Sequence, residues 1–309
     1  MTKTCLLAAM LLALATPAMA QDEPPTPDSV VAAAAPEEWQ RIAPEDLLVM
    51  ELAPAADGTG RKVVIQLLPP PFSQPWVEDI KTMARAHWWD GKSVYRVVDN
   101  WVAQWGGGDP ELGMDPGPLP DGVVSPTDSY MIGFNNMGST VKASPTLTDH
   151  YAPETHFEQG FAVGETIAEQ MTWQWPVHCY GSVGVARELA PDTGTGSELY
   201  AVIGHAARQL DRNIAVVGRV IEGIEHLSTL PRGTAEAGVY AERSEDTPIV
   251  SVRLASEMRQ PPAYEYLDTS SDSFARYVEV RANRSDSFYA VPAGGVDICN
   301  VQVPIRRAE

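Results

Sequence analysis

Short runs of apolar residues, separated by turn-forming residues, recur along the chain from residue 45 onward. Runs of this length and punctuation are typical of β-strands. The predicted strands span residues 45–52, 61–68, 93–98, 101–104, 183–187, 199–203, 213–220 and 247–254. The order of two strands, a helix, several strands, a helix and a final strand fits an antiparallel barrel or sandwich capped by helices. It does not fit a parallel α/β sheet.

Three segments have the apolar spacing of a helix. The first begins after Ser73, which is the predicted N-cap because its hydroxyl is suited to accept from the first turn. The second is a short helix at residues 221–230, with Gly223 inside it. The third covers residues 271–284. Its apolar face consists of Phe274, Tyr277 and Val278.

Residues 1–20 have the pattern of an export signal. Lys3 gives a positive start, Cys5–Ala15 is wholly apolar, and Ala18–Ala20 supplies the small-x-small cleavage pattern. The apolar run is too short to span a bilayer, and no later run is long enough. We therefore expect cleavage after Ala20 and export of the mature chain to the periplasm.

The remaining chain divides into a domain with additions at both ends. Residues 21–44 are rich in Pro, Ala and acid and are predicted to be a flexible leader, followed by a domain at residues 45–255. Within it, residues 107–176 are dense in Gly, Pro, Asp and Ser, which predicts a long loop insert. Residues 256–309 are too short for a robust core of their own, so we expect them to pack on the domain. The insert and this extension are also candidate docking segments for a protein partner.

The charge of the chain excludes some classes of partner. The net charge of −19 argues against binding to nucleic acid or to anionic membrane surfaces, because phosphates need positive counter-charge. The six histidines show no zinc-ligand spacing, and there is no Cys-x-x-Cys motif. We therefore expect neither a metal nor a cofactor.

Two cysteines remain once Cys5 has left with the export signal. Cys179 and Cys299 could form a disulfide in an oxidising compartment, or both could be buried free thiols. Sequence alone does not test the required geometry, so both alternatives stay open.

Five short blocks are similar to motifs of one family and occur in that family's order. They are Asp90–Val98 with "YDG…FHRVI", Trp101–Pro110 with "FMIQGGDP", Gly184–Arg187 with "SMAR", Thr193–Tyr200 with "NTNGSQFF", and Leu210–Ile224 with "LDGKYTVFGKV" and "VEGMD". Over residues 45–255 the chain thus resembles the cyclophilin-type peptidyl-prolyl cis-trans isomerases. The resemblance implies a mainly β fold, a closed antiparallel barrel of about eight strands with two capping helices.

The resemblance also implies two catalytic side chains. Arg96 matches the family's catalytic arginine, and Gln104 matches the glutamine that holds a substrate carbonyl. A guanidinium is always charged and presents several N–H donors in a fixed fork. Outside the motif, Arg96 would be interpreted as a surface residue in a salt bridge and Gln104 as an ordinary residue at a strand end.

Further positions match the family's substrate-binding surface. Those that line its proline slot are Trp101, Val102, Tyr200 and Leu210. Ala186 and Arg187 match the edge along which family members bind the substrate backbone like an added strand. The alternatives are plain core packing for the apolar residues and a solvated charge for Arg187.

The chain departs from the family at several positions. Glu198 stands where the family usually has Gln, at a substrate-binding position. It could draw Arg96 into an ion pair and keep it from the substrate, or it could orient Arg96. The other departures, at positions where the family has large aromatic or imidazole side chains, are Leu199, Gln209, Ile214 and Val217.

Two functions follow from these expectations. The first is an isomerase that lowers the barrier of about 18–20 kcal/mol to X-Pro rotation in exported proteins. It would do so without covalent chemistry, by donating a hydrogen bond to the nitrogen of the twisted amide. The second is a chaperone or scaffold module that binds proline-containing segments with little or no turnover. Retention of Arg96 and Gln104 favours the first, and Glu198 favours the second.

Overall fold

A computed structural model describes residues 24–127, 129–135 and 147–308. The predicted export signal at residues 1–20 lies outside these residues. The α-helices in the described ranges are α1 (Pro27–Ala33), α2 (Gln74–Arg85), α3 (Glu225–Ser228) and α4 (Asp272–Ala282). None of them has the length and hydrophobicity needed to cross a membrane.

The strands of the described chain are numbered in chain order. The first five are β1 (Trp39–Arg41), β2 (Leu47–Leu52), β3 (Arg61–Leu67), β4 (Ser93–Val97) and β5 (Val102–Gly106). The others are β6 (Ile132–Asn135), β7 (Leu147–Thr148), β8 (Glu154–Glu158), β9 (Phe161–Ala168), β10 (Met171–Pro176), β11 (Ser182–Val185), β12 (Leu199–Val202), β13 (Val216–Glu222), β14 (Thr247–Leu254), β15 (Tyr264–Leu267), β16 (Val296–Asp297) and β17 (Ile305–Arg307).

Eight strands form a closed antiparallel barrel in the order β11, β12, β5, β4, β14, β2, β3 and β13. These correspond to the eight strands predicted from the sequence, so the closed barrel is confirmed. Helix α2 packs into the same core through Trp76, Ile80 and Met83, and Leu227 of α3 joins it.

Strand β2 is apolar at consecutive positions because both of its faces are buried. Leu48, Met50 and Leu52 belong to the core inside the barrel. Leu47 and Val49 point to the other face and pack in a second cluster with Tyr264 of the C-terminal extension. A strand buried on both faces has no polar side, unlike a strand with one face in water.

The helix expected at residues 221–230 is mostly strand and turn. Strand β13 continues to Glu222, and α3 is a single turn. Gly223 separates them with φ at +84°, and a Cβ there would lie 2.0 Å from the carbonyl oxygen of Lys62. Ser73 does precede α2, but its φ of 53° places it in the left-handed region and its side chain makes no capping hydrogen bond.

The prediction of a long loop for residues 107–176 is wrong for its second half. Strands β6, β10, β9 and β8 form a four-stranded antiparallel sheet in that order. The β9–β10 hairpin turns at Glu169 and Gln170, which both have positive φ, of 51° and 63°. Such two-residue turns normally carry Gly or Asn, so Glu169 and Gln170 did not indicate a turn.

The expectation of a flexible leader is also wrong within residues 24–44. Strand β1 pairs with β15, which pairs in turn with β17. Val30 of α1 and Trp39 of β1 share one core with Phe274 and Tyr277 of α4. The predicted apolar face of α4 is therefore buried. The partners of the N-terminal segment come from the far end of the chain, where a local pattern does not reveal them.

The C-terminal extension contacts the barrel as well as this small core. Tyr264 donates to Glu222 of β13 at 2.7 Å, and Arg307 pairs with the same carboxylate at 2.8 Å. These contacts, together with Lys62, hold the pKa of Glu222 at about 2 even though burial alone would raise it. The extension is thus attached to the barrel by an ion-pair cluster beside an apolar one.

A disulfide between Cys179 and Cys299 settles the alternative that the sequence left open. The two Cα atoms lie 5.0 Å apart, and 120 residues separate the cysteines along the chain. The bond joins the C-terminal extension to the segment that leads from β10 into β11 of the barrel.

We expect the double variant C179S/C299S to lose about 2–5 kcal/mol of free energy of unfolding, because the bond closes a long loop in the unfolded chain. Urea unfolding of the oxidised proteins measures the loss. Reductant should lower the stability of the wild type and leave the double variant unchanged. Equal urea midpoints for the oxidised wild type and variant would contradict this prediction.

Candidate active site

Arg96 and Gln104 lie directly opposite each other on neighbouring strands. In the β4–β5 pairing Arg96 is the register partner of Gln104. Ala103 and Trp105, on either side of Gln104, belong to the core inside the barrel. Because side chains alternate along a strand, Gln104 points to the outer face, where Arg96 Nη1 donates to its Oε1 at 2.9 Å.

The guanidinium of Arg96 is held from three sides. Besides Gln104, its Nε donates to the carbonyl oxygen of Ala237 at 2.6 Å, and it lies over the Trp101 ring with its Cζ 5.3 Å from the centroid. Burial lowers the pKa of Arg96, but a guanidinium stays charged at neutral pH. Its Nη2 makes no hydrogen bond within the described part of the chain, so it can donate to a ligand.

Glu198 does not pair with Arg96. Its Oε2 accepts from the Tyr95 hydroxyl at 2.8 Å, and its Oε1 accepts from the backbone N–H of Gly108 at 2.8 Å. Tyr95 in turn accepts from Gln104 Nε2 at 2.6 Å. The connection from Glu198 to Arg96 therefore runs through Tyr95 and Gln104, which fits an orienting role and not a competing ion pair.

The carboxyl of Glu198 is packed tightly against the backbone. A Cβ on Gly106 would lie 2.3 Å from Glu198 Oε1, so only glycine leaves room for the side chain. Burial raises the pKa of Glu198, although the hydrogen bonds from Tyr95 and Gly108 act in the opposite direction. The site thus holds a carboxylate whose ionisation is opposed by burial.

Tyr95 is a site residue that the sequence did not reveal. The β4–β5 register shifts between Val94 and Arg96, so a bulge places Tyr95 as the extra residue. Bulges re-aim side chains, and this one lets Tyr95 reach Gln104 on the same face as Arg96. A tyrosine in an apolar strand gives no signal for such a role.

The predicted proline slot is one apolar cluster beside Arg96. Val102 and Tyr200 are its buried members, together with Val202 and Ala207. The partly buried residues packed against them include three predicted slot or edge residues: Trp101, Ala186 and Leu210. The apolar residues predicted for the slot and its edge therefore lie together, as the family pattern implies. Ile214, one of the departures, also belongs to the cluster.

A buried polar chain lies behind the slot. The Tyr200 hydroxyl oxygen is 2.9 Å from His178 Nε2, and His178 Nδ1 is 2.9 Å from Asp211 Oδ1. Because a carboxylate only accepts, His178 donates to Asp211, and in the neutral imidazole the other ring nitrogen accepts from Tyr200. Asp211 also pairs with Arg208 at 2.7 Å, and Arg208 continues the chain to Asp149.

This polar chain favours a protonated hydroxyl at Tyr200 and an ionised carboxylate at Asp211. Burial and the negative charge of Asp211 raise the pKa of Tyr200, so its hydroxyl keeps the proton that it donates. Burial alone would raise the pKa of Asp211, but the His178 hydrogen bond and the Arg208 charge outweigh it and lower that pKa. The sequence did not predict a role for His178. Within the described ranges, no group of three or more His, Cys, Asp or Glu side chains could hold a metal ion.

The remaining predicted positions lie outside the slot. Arg187 is partly exposed at the edge, where it donates to the carbonyl oxygens of Asn213 and Glu188. Leu199 and Val217 belong to the core inside the barrel, and Gln209 is exposed. The loss of two family phenylalanines therefore changes the barrel core and leaves the slot wall in place.

Comparisons with known proteins agree on the family. The model described as "Cyclophilin type peptidyl-prolyl cis-trans isomerase/CLD" matches residues 75–254. Among solved structures, the chain is similar to the cyclophilin AquaCyp293 from Hirschia baltica, with 21% identity and a TM-score of 0.65 over 92% of this chain and 98% of that one. At this identity the likeness shows a shared fold alone.

A weaker similarity is to a cyclophilin type peptidyl-prolyl cis-trans isomerase from Cryptosporidium parvum, solved in the presence of the dipeptide Ala-Pro. It has 13% identity and a TM-score of 0.36 over 66% of this chain and 98% of that one. No curated protein matches the chain.

For Glu198→Gln we expect a changed pH dependence of activity. In the wild type, kcat/KM should fall as the pH drops through the raised pKa of Glu198. The protonated carboxyl carries an O–H donor, so it can no longer accept from both Tyr95 and Gly108 as the carboxylate does. The variant should lack this inflection. Its free energy of unfolding should also fall less with rising pH than that of the wild type, because the wild type loses stability as the pH rises through a raised carboxyl pKa.

The matched control for this prediction is Glu188→Gln, which removes an exposed carboxylate near the slot. It should leave both profiles unchanged. Activity profiles of the wild type and Glu198→Gln that superimpose between pH 4 and pH 8 would contradict a role for the Glu198 carboxylate.

Tyr200→Phe should destabilise the protein and spare the slot. The change leaves His178 Nε2 buried without its donor, which costs about 1–3 kcal/mol of free energy of unfolding. The aromatic wall remains, so KM for a proline peptide should change little. Urea unfolding measures the loss, with the partly exposed Tyr180→Phe as control; equal losses in the two variants would contradict a supporting role for the His178 contact.

Proposed function

The chain belongs to the cyclophilin-type peptidyl-prolyl cis-trans isomerase family, and we propose that it isomerises X-Pro bonds of exported proteins through Arg96. As a family member, it is a peptidyl-prolyl isomerase that binds proline-containing peptides. The proposal concerns the residues that carry the reaction and the substrates. The observation that supports it best is a guanidinium, beside an apolar slot, that pairs with no carboxylate among the described residues.

Rotation about an X-Pro bond requires loss of C–N resonance, which returns a lone pair to the prolyl nitrogen. In our proposal, the unoccupied Nη2 group of Arg96 donates a hydrogen bond to that lone pair as the amide twists. The planar amide lacks this acceptor, so the interaction strengthens in the transition state and lowers the barrier. No bond is made or broken and no proton is transferred.

Gln104 and its partners preorganise this donor. Its Oε1 holds Arg96, and one hydrogen of its Nε2 is used by Tyr95. An amide group carries two such hydrogens, so the other can hold a substrate carbonyl. Because Ala237 fixes Arg96 from the opposite side, the guanidinium needs little reorganisation when the substrate binds.

The apolar cluster supplies the surface for the proline ring. Trp101 and Leu210 are partly exposed over the buried side chains of Val102 and Tyr200. A five-membered ring without an N–H donor fits such a wall and leaves no polar group unpaired. Ala186 and Arg187 would then contact the flanking peptide backbone along the edge of the slot.

Export supports the choice of substrates. The disulfide between Cys179 and Cys299 is stable in oxidising compartments such as the periplasm, and the pattern at residues 1–20 is that of a cleaved signal. We therefore propose a periplasmic protein that acts on polypeptides exported to the same compartment. N-terminal sequencing of the protein recovered from the periplasm should begin at Gln21, and retention of the first twenty residues would contradict this location.

The first test is NMR exchange spectroscopy of a short Ala-Pro peptide with the protein. We expect faster cis-trans exchange with the wild type and a loss of about 10²-fold or more with Arg96→Ala, the size typical of removing one preorganised donor. Arg96→Lys should also be impaired, because an ammonium lacks the planar fork.

The matched control is Arg85→Ala, which removes an exposed arginine on α2 and should leave exchange unchanged. Peptide binding without faster exchange in the wild type would favour the second candidate, a proline-segment chaperone or scaffold. Full activity in Arg96→Ala would contradict the role that we give to Arg96.

A further inference from the structure

A second guanidinium has surroundings like those of Arg96. Arg219 lies on β13, and its Nε and Nη2 donate to Gln66 Oε1 on the neighbouring strand β3 at 3.0 and 2.8 Å. The two residues are register partners, as Arg96 and Gln104 are. The Arg219 Cζ lies 4.9 Å from the Phe161 ring centroid, much as Arg96 lies over Trp101.

Arg219 has no carboxylate partner among the described residues. Burial lowers its pKa to about 10, and the Tyr266 hydroxyl acts in the opposite direction. By contrast Arg208, the other arginine in a buried polar setting, pairs with both Asp149 and Asp211. Charges that lose part of their hydration in a fold are normally paired, so a half-buried guanidinium without a described carboxylate partner marks a place where an anion would be stabilised.

Arg219 lies in the wall of a cleft of about 760 Å³. The cleft is bounded by β13, the β8–β9 hairpin, α1 and the C-terminal segment from Val301 to Ile305. No hydrogen bond from the Nη1 of Arg219 is made within the described part of the chain, and that group is available to a ligand. A volume of this size is typical of small-molecule sites.

The rest of the cleft wall is mainly apolar. Its hydrophobic side chains include Val31, Phe161, Val220, Ile221, Val301 and Val303. Three acids also line it, but Glu222 is neutralised by Lys62 and Arg307, and the side chains of Asp28 and Glu225 are exposed to water. Arg219 is therefore the half-buried cation of this wall that an anionic ligand would meet.

We propose that this cleft binds a small carboxylic acid with an apolar body, whose carboxylate pairs with Arg219 while its chain lies along the apolar wall. A carboxylate matches the donor fork of a guanidinium, and an anion would supply the missing counter-charge. Small acids are favoured over acidic polypeptides, because the chain's net charge of −19 repels a second polyanion. This site is separate from isomerisation, since none of the residues of the Arg96 site lines the cleft.

Isothermal titration of the full mature protein with decanoate, and separately with decanol, tests this site at pH 7. The two probes share the chain and differ in charge. We expect decanoate to bind about tenfold or more tightly than decanol in the wild type, the size expected for a charge-assisted hydrogen bond. The same preference should be lost in Arg219→Met, which keeps a long apolar stem, and weakened in Arg219→Lys, which lacks the fork.

Arg212→Met is the matched control, because Arg212 is an exposed arginine that also lies over an aromatic ring, that of Trp175. It should bind decanoate like the wild type. Equal affinity of the wild type for decanoate and decanol would overturn the proposal, and so would undiminished decanoate binding by Arg219→Met. Should Arg219→Met not fold, the comparison of the two probes on the wild type alone decides.

Discussion

Closure of the eight-stranded barrel is the constraint on which the rest of the structure depends. Because closure leaves no strand edge unpaired and fills the interior with apolar side chains, polar groups with a function must lie on the outer face or in the connections. Ala103 and Trp105 point inward, so Gln104 between them points outward to Arg96. The opposite side of the barrel repeats the arrangement with Gln66 and Arg219.

The barrel was largely predictable because its information is local. Each strand carries its own apolar run and its own flanking turn residues. The motifs around Arg96 and Gln104 predicted that these two side chains belong to one site. The N-terminal segment was not predictable in this way, since Trp39 pairs with Leu267 and nothing near it in sequence reveals that partner. The β9–β10 hairpin escaped because Glu169 and Gln170 adopt positive φ without glycine.

The candidate site likewise has some residues that local sequence motifs predict and others that only the fold brings together. Residue types at motif positions identified Arg96, Gln104 and the apolar slot. The hydrogen-bonded supports depend on distances that only the fold sets: a bulge brings Tyr95 to Gln104, and a buried chain joins Tyr200 to His178. The sequence left two roles open for Glu198 because its charge is compatible with both. Its hydrogen bonds to Tyr95 and Gly108 distinguish them.

The pairing of β1 with β15 has a consequence for the order of events during synthesis. Strand β1 and helix α1 emerge from the ribosome long before their partners β15 and α4. Their core cannot form until β15 and α4 have been made. Closure of the barrel likewise requires β2 to pair with β14, which is made much later. A barrel that closes through such non-local contacts folds slowly, and its native core is incomplete while the chain is being made. A translocation channel that accepts only unfolded polypeptide would therefore meet little competition from premature folding.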